Sequence, residues 1–210
     1  MFAEAFVRDR LIVSGDAAAT VRNISASQQL WRWGVAADVS ITLCDVAEAV
    51  LLFVLLRPAG RSASLGAAFF RLVYSAAMAA SAALLIGPLH LISQAPATAE
   101  VQALVSYSLR LHDAAFAVAL SLFGIHLIIA GWLIARSTFL PRPIGLVLVV
   151  AGACYITNCF LGLVAPTLAD GLFPWILLPG FLAEGALTLW LIIVGVDPVH
   201  WIAADAVSTP

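Results

Sequence analysis

Five long apolar stretches constrain the fold of this chain more than any other feature. They lie at residues 32–56, 65–92, 109–135, 143–165 and 173–196. Each can cross the hydrocarbon core of a bilayer, which takes about 20 residues of helix. Lipid offers the backbone no hydrogen-bonding partner, so a spanning segment of this kind must be helical. The sequence therefore predicts an all-α integral membrane bundle with five transmembrane helices and a short extramembrane N-terminal helix.

The composition excludes most other classes of protein. Hydrophobic residues make up 63% of the chain and charged residues 10%, whereas soluble domains have about 45–50% and 25%. So few polar side chains can neither cover a water-exposed surface nor keep a chain disordered. The formal net charge of -2 argues against a nucleic-acid partner. The expected partner is the lipid bilayer.

The connections predict how the chain is organised. Residues 1–31 are expected outside the membrane, with a helix over 16–26 capped by Ser14–Gly15–Asp16. A single five-helix domain follows over 32–197, with its longest internal loop at 93–108, and the tail is 198–210. Arginines concentrate in the loops at 57–64 and 136–142. These loops, and with them the C-terminus, are therefore predicted to be cytoplasmic in a bacterial inner membrane.

The N-terminal segment conflicts with this topology. Arg8, Arg10 and Arg22 would lie outside, and no apolar leader precedes them. A charged leader reaches that side most easily when a helix before it crosses the membrane. We therefore expect the chain to lack an upstream helix.

Four stretches carry a resemblance to a known family. They are AEAFVRDRLIVSGDAAATVRNI, AAFFRLVYSA, SLFGIHLIIAGWLIARSTFLPRPIGLVLVVAGACY and LLPGFLAEGALTLWLIIVGV. Together they resemble the bacterial domain-of-unknown-function family numbered 4386, most specifically at about 124–141. The resemblance implies an uncharacterised multi-pass membrane protein with six helices, one of them before the Ala-Glu-x-Phe-Val-Arg segment. It implies no catalytic residue.

Polar side chains inside the apolar stretches are the candidates for function. A charge at the bilayer centre costs about 2.5–3.5 kcal/mol on insertion scales, so such residues usually face the bundle interior and find partners. The candidates for a ligand or proton network are Asp45, Glu48, Arg71, His112, Asp113, His126, Asn158 and Glu184.

Four of these candidates suggest specific contacts. Glu48 follows Asp45 by three residues, so the two carboxylates share a helix face, and Arg71 on the next helix can pair with either. Glu184 stands alone near the middle of the last apolar stretch. It must be protonated or reach a partner, for which Arg71, His126 and Asn158 are the expected groups.

Three functional hypotheses follow. In the first, Asp45, Glu48, Arg71, His126 and Glu184 form one network that binds or conducts a proton or a small ligand, which predicts a hydrated cavity reaching Glu184. In the second, an intramembrane enzyme, a hydrolase or a redox protein, uses His112 or His126 with a carboxylate. In the third, the chain is a structural or accessory subunit, which predicts paired charges and no cavity. A non-enzymatic role is favoured.

No cofactor is expected. Cys44, Cys154 and Cys159 lie inside apolar stretches and have the spacing of buried thiols rather than of a metal site. A haem held between His90 and His112 is an alternative. A homo-oligomer or a larger membrane complex is compatible with the sequence.

The cofactor question has a direct test. We expect protein purified in mild detergent, and a matched Glu184→Gln variant, to be colourless and free of stoichiometric metal, because a bis-histidine site needs partner histidines on a facing helix and only His90 is available. An absorption spectrum with metal analysis checks this. A Soret band or bound metal would instead favour the redox hypothesis and direct mutagenesis to His90, His112 and His126.

Overall fold

The computed structural model describes residues 4–208. The chain is 88% helical, and none of its described residues forms a β-strand. This confirms the all-α fold. The α-helices in this range are α1 (Asp9–Leu11), α2 (Ala17–Ala26), α3 (Gln28–Leu56), α4 (Arg61–Leu84), α5 (Ile86–Gln94), α6 (Ala99–Arg136), α7 (Arg142–Val164), α8 (Pro166–Leu172), α9 (Leu178–Ile193) and α10 (Pro198–Ser208).

Five segments are long and apolar enough to cross a membrane. They are Gln28–Ala59, Arg61–Gln94, Ala99–Arg136, Arg142–Val164 and Trp175–Ile193. They coincide with the five stretches found in the sequence and confirm the multi-pass membrane fold.

The predicted loop at 93–108 is mostly wrong, because α6 already begins at Ala99. Val101, Val105 and Leu109 follow one another at four-residue spacing and are all buried. That spacing places them on one helical face, which packs into a core, so this polar-looking segment continues the helix. At 38 residues, α6 is about 57 Å long, well beyond the hydrocarbon thickness of a bilayer.

Two further connections are also helical. Residues Pro166–Leu172, between the fourth and fifth apolar stretches, form the short helix α8. Residues Pro198–Ser208 of the predicted polar tail form α10. The side chain of Asp197 caps α10 by accepting hydrogen bonds from the backbone amides of Val199 and His200. The pKa of Asp197 lies below its usual range because the His200 ring, and then these amides, stabilise its carboxylate.

The chain divides into two compact units, and the residues of α3, α4 and α6 are shared between them. The first unit contains residues 1–44 and 75–116, and the second contains residues 45–74 and 117–210.

The core of the first unit joins the N-terminal segment to α5 and α6. It includes Val7, Leu11, Ile24 and Trp31, packed with apolar side chains of α5 and the start of α6. Asp16 caps α2 by accepting a hydrogen bond from the Ala19 amide at 2.8 Å. The segment before the first long helix is therefore packed into a folded unit.

Pro88 explains the break between α4 and α5. Proline has no amide hydrogen, so the carbonyl of Leu84, four residues earlier, loses its helical partner. Ser108 of α6 donates to that carbonyl at 2.6 Å. The Trp31 indole donates to the neighbouring carbonyl of Leu85 at 2.8 Å. Side chains thus replace the backbone hydrogen bonds at the break, as an apolar environment requires.

In the second unit, glycines bring α6 and α7 into backbone contact. A Cβ atom on Gly124 would collide with the carbonyl oxygen of Gly152, and one on Gly131 would collide with that of Gly145. Small residues at a helix interface allow this approach and the packing that drives association in lipid.

The C-terminal helix α10 is anchored to the end of α3 in the same unit. Arg57 donates to both carboxylate oxygens of Asp205, at 3.1 and 2.9 Å. The Trp201 indole donates to the backbone carbonyl of Leu55 at 2.9 Å. These contacts hold α10 against the connection between α3 and α4, which carries Arg57.

The glycine contacts predict a position-specific loss of stability. Gly152→Ala should lower the free energy of unfolding by about 1–3 kcal/mol, because the added methyl overpacks the contact with α6. Gly162→Ala on the same helix is the matched control, since no atom lies within 4 Å of a Cβ there. Thermal unfolding in mild detergent measures both variants. Equal stability of the two would contradict the close packing of α6 and α7.

Candidate functional site

A buried arginine on α4 holds the candidate site together. One terminal nitrogen of Arg71 (Nη2) donates to Asp45 Oδ1 and to Glu48 Oε2, both at 2.6 Å. The side chain of Arg71 is 6% exposed, that of Asp45 12% and that of Glu48 51%. Both pairings expected from the sequence are present together. Charge-assisted hydrogen bonds of this length are among the strong ones in proteins.

His126 on α6 contacts the same arginine. Its Nε2 lies 3.2 Å from Nη1 of Arg71, and its Nδ1 lies 2.9 Å from the carbonyl oxygen of Ala67. A guanidinium can only donate and a carbonyl can only accept, so Nε2 must be the acceptor and Nδ1 must carry the proton. His126 is therefore the neutral Nδ1–H tautomer and adds no charge to the cluster.

Phe123 covers this cluster, and the sequence did not single it out. The guanidinium carbon of Arg71 lies 5.2 Å from the centroid of the Phe123 ring. The same ring stacks on His126 with 5.6 Å between centroids. Phe123 precedes His126 by three residues on α6, a spacing that places both on one face. From the sequence alone, Phe123 looks like any phenylalanine of an apolar core. It can be recognised as part of the site only once the position of Arg71 is known, and the sequence does not give that position.

Glu184 on α9 has a partner that the sequence analysis missed. The hydroxyl of Tyr155 on α7 donates to Glu184 Oε1 at 3.1 Å. Tyr155 was not among the expected partners, although a buried tyrosine usually requires a hydrogen-bond partner, and that rule points to it. Asn158 is only half-buried and lies on the same helix.

Gly180 makes the contact between Tyr155 and Glu184 possible. A Cβ atom at Gly180 would overlap the hydroxyl oxygen of Tyr155. Gly180 precedes Glu184 by four residues, one helical turn, so both lie on the same face of α9. The missing side chain lets the phenol approach the helix closely and reach the carboxylate one turn further on.

A cavity joins the arginine cluster to Glu184. Its volume is about 110 Å³, and its polar lining consists of Glu48, Arg71, His126, Glu184 and Thr188. The rest of the wall is apolar and is made of Leu52, Leu56, Leu127, Ala130, Ile134, Leu148 and Leu187. Four of the five residues predicted to form one network thus line one cavity. The fifth, Asp45, does not line the cavity but is hydrogen-bonded to Arg71, which does.

The charges around this cavity do not balance. Three carboxylates, Asp45, Glu48 and Glu184, accompany one guanidinium, because His126 is neutral. If all three carboxylates were ionised, the site would carry two uncompensated negative charges. Uncompensated charge is costly inside a membrane.

The remaining candidates do not join this cluster. His112 lies in the first unit, where its Nδ1 is 3.0 Å from the backbone carbonyl of Ser81 and 2.8 Å from its hydroxyl. Asp113, next in sequence, is exposed. His90 is also exposed, and its Nε2 lies 2.9 Å from the side-chain amide of Gln94.

Ser81 and His112 form a buried hydrogen-bonded pair within the first unit. With its proton on Nε2, His112 accepts from the Ser81 hydroxyl through Nδ1, and with its proton on Nδ1 it donates to the Ser81 carbonyl. The Ser81 hydroxyl can also donate to the backbone carbonyl of His112 at 3.2 Å. Among residues 4–208, no group of three His, Cys, Asp or Glu side chains could hold a metal ion.

A second buried ion pair lies in the first unit. Arg8 Nη1 donates to Asp38 Oδ2 at 2.6 Å, and the two side chains are 7% and 12% exposed. Asp38 lies on α3, ten residues after the first residue of that helix, Gln28. The pair neutralises one of the N-terminal arginines that conflicted with the predicted topology. Arg8 lies in the segment predicted outside the membrane, so the sequence pattern does not pair it with a carboxylate of the first apolar stretch.

Comparisons with known proteins agree with the resemblance found in the sequence. The family described as "Domain of unknown function (DUF4386)" matches residues 1–195. A protein of Archaeoglobus fulgidus, described as an uncharacterized protein, is 27% identical over 175 residues, which cover 81% of this chain and 85% of the relative. No solved structure matches the chain.

The ion cluster predicts a specific effect on stability. Arg71→Met should lower the free energy of unfolding by about 3–5 kcal/mol, because it leaves the buried carboxylate of Asp45 and the neighbouring, half-exposed carboxylate of Glu48 without their cation. Thermal unfolding in detergent measures the loss. Adding Asp45→Asn to this variant should restore part of it, because one of the two orphaned charges disappears.

The control for this prediction lies on the same helix. Arg61→Met removes an exposed arginine at the first residue of α4 and should change stability little. If Arg71→Met were as stable as Arg61→Met, the cluster would not support the fold.

Proposed function

The chain belongs to the DUF4386 family, and we propose that it binds and releases a proton inside the membrane at Glu48 and Glu184. The cavity that these two carboxylates share with Arg71 and His126 carries the proposal. A buried cluster that only fixes helix packing needs neither an excess of carboxylates nor a space beside them. This site has both.

The charge distribution divides the carboxylates by role. Asp45 is 12% exposed and held by Arg71, so it serves as the permanent partner of the arginine. Glu48 shares the same nitrogen but is 51% exposed, and it lines the cavity. Glu184 lines the cavity with a neutral phenol as its partner. A proton can therefore exchange at Glu48 or Glu184 while the Arg71–Asp45 pair stays intact.

The shape of the lining indicates the side from which the site is reached. From Glu48 the wall continues along α3 to Leu56, and from His126 it continues along α6 to Ile134. Eight residues of helix correspond to about 12 Å. Both walls run toward the helix ends that carry Arg57 and Arg136. We propose access from this side.

We further propose that this side is cytoplasmic and that the membrane is a bacterial inner membrane. Arginine-rich short loops mark the cytoplasmic side. The Arg57–Asp205 contact supports a cytoplasmic C-terminus, because it joins the tail to the first of these loops. A chain that crosses the membrane five times also places its first internal loop and its C-terminus on one side.

The proton site can be observed by infrared spectroscopy. In a carbonyl-free detergent, we expect a high-frequency carboxylic acid band that is present at low pH and is lost as the pH rises. A buried carboxyl group has fewer hydrogen bonds from water than an exposed one, so its band is separated from those of surface carboxylates. Glu184→Gln should remove this band or most of its intensity.

Glu100→Gln is the matched control. Glu100 is an exposed carboxylate near the start of α6, and its removal should leave the buried band unchanged. A titrating band of the same intensity in Glu184→Gln would assign the proton elsewhere. The lack of any titrating buried band in the unmodified protein would overturn the proposal.

A further inference from the structure

From the same cavity we infer a ligand class: a small organic cation with a compact apolar body, of the methylated ammonium type, which exchanges with the proton at Glu48 and Glu184. The inference rests on the proposed proton site and adds the solute that competes for it. It depends on three properties of the cavity, namely its charge, its apolar wall and its size.

The charge excludes an anionic ligand. The only guanidinium in the lining, that of Arg71, already faces the carboxylates of Asp45 and Glu48. An anion entering the cavity would meet Glu48 and Glu184 without a second cation to balance it. A cation would instead complete the charge of the site, since one positive charge and one proton together neutralise the two excess carboxylates.

The wall favours an organic cation over a hydrated metal ion. Beyond the carboxylates, the cavity is lined by Leu52 and Leu56 of α3 and by Ala130 and Ile134 of α6. These side chains offer no oxygen or nitrogen ligand, so a metal ion would have to keep its water against leucine and isoleucine. Methyl groups on a cation would bury favourably against the same surface.

The volume limits the size of the ligand. The cavity measures about 110 Å³, whereas an engineered cavity of about 150 Å³ in another protein accommodates benzene. Tetramethylammonium is about as bulky as benzene, so it stands at the upper limit of size for this cavity, and a cation with four ethyl groups exceeds that limit.

Exchange follows from the shared carboxylates. A cation between Glu48 and Glu184 stabilises their ionised forms, so its binding releases a proton to the solvent. Protonation of the same carboxylates in turn weakens cation binding by an equal factor, because the two equilibria are linked. Charge is conserved in this step, since one cation enters as one proton leaves.

Calorimetry with tetramethylammonium tests the inference directly. This ion has no proton of its own, so any proton released comes from the protein. We expect saturable binding to the purified protein whose heat depends on the ionisation enthalpy of the buffer, the signature of proton release. tert-Butanol, which is neutral and of similar size, and tetraethylammonium, which is larger, should give no saturable heat.

Two variants locate the binding. Glu184→Gln should weaken tetramethylammonium binding by roughly tenfold or more, because it removes an opposing charge. Ala130→Leu should also weaken it, by filling the apolar part of the cavity, while keeping the titrating infrared band. Glu100→Gln should bind as the unmodified protein does.

The outcomes separate this inference from the proposed function. If the infrared band titrates but tetramethylammonium gives no heat, or gives equal heat in Ala130→Leu, the organic-cation inference is wrong and the proton site stands. If no buried band titrates, the proposed function fails, whatever the calorimetry shows. Binding without proton release, or binding unchanged in Glu184→Gln, would place the cation elsewhere and overturn the inference.

Discussion

The guanidinium of Arg71 is the charge on which the rest of the site depends. It neutralises Asp45, contacts Glu48, and fixes the tautomer of His126 by donating to one ring nitrogen. These polar groups have been removed from water, so losing the arginine as a partner would cost free energy. The arginine thereby ties α3, α4 and α6 together within the second unit. It also leaves Glu48 and Glu184 as the carboxylates that border open space.

Positions without side chains are as important as the charged ones. Gly180 allows Tyr155 to lie against α9, and that contact brings the phenol to Glu184. Gly124 and Gly131 allow α7, which carries Tyr155, to approach α6, which carries His126. The polar site is thus positioned by close backbone packing, the main source of helix association where lipid is as apolar as the protein.

Much of this architecture could be predicted from the sequence, because in lipid a long apolar stretch has few structural alternatives. The five spans and the pairing of Arg71 with Asp45 and Glu48 follow from length, spacing and the cost of buried charge. Tyr155 was missed because a neutral side chain in an apolar stretch carries no charge that calls for a partner, and Arg8 was missed because it lies before the five apolar stretches. The start of α6 was misplaced because Val101 and Val105 are buried by tertiary packing. Local composition does not report such packing.

The glycines of α6 and α7 also set the depth of the two helices relative to each other. Gly124 and Gly131 are seven residues apart, as are Gly145 and Gly152. In an antiparallel pair, only one register brings both glycines of each helix opposite those of the other. A slip of seven residues, about 10.5 Å, would leave only one such pair. The same register fixes the height of Tyr155 relative to His126, so a spacing of glycines along the sequence sets how the partner of Glu184 and the partner of Arg71 are aligned along the two helices.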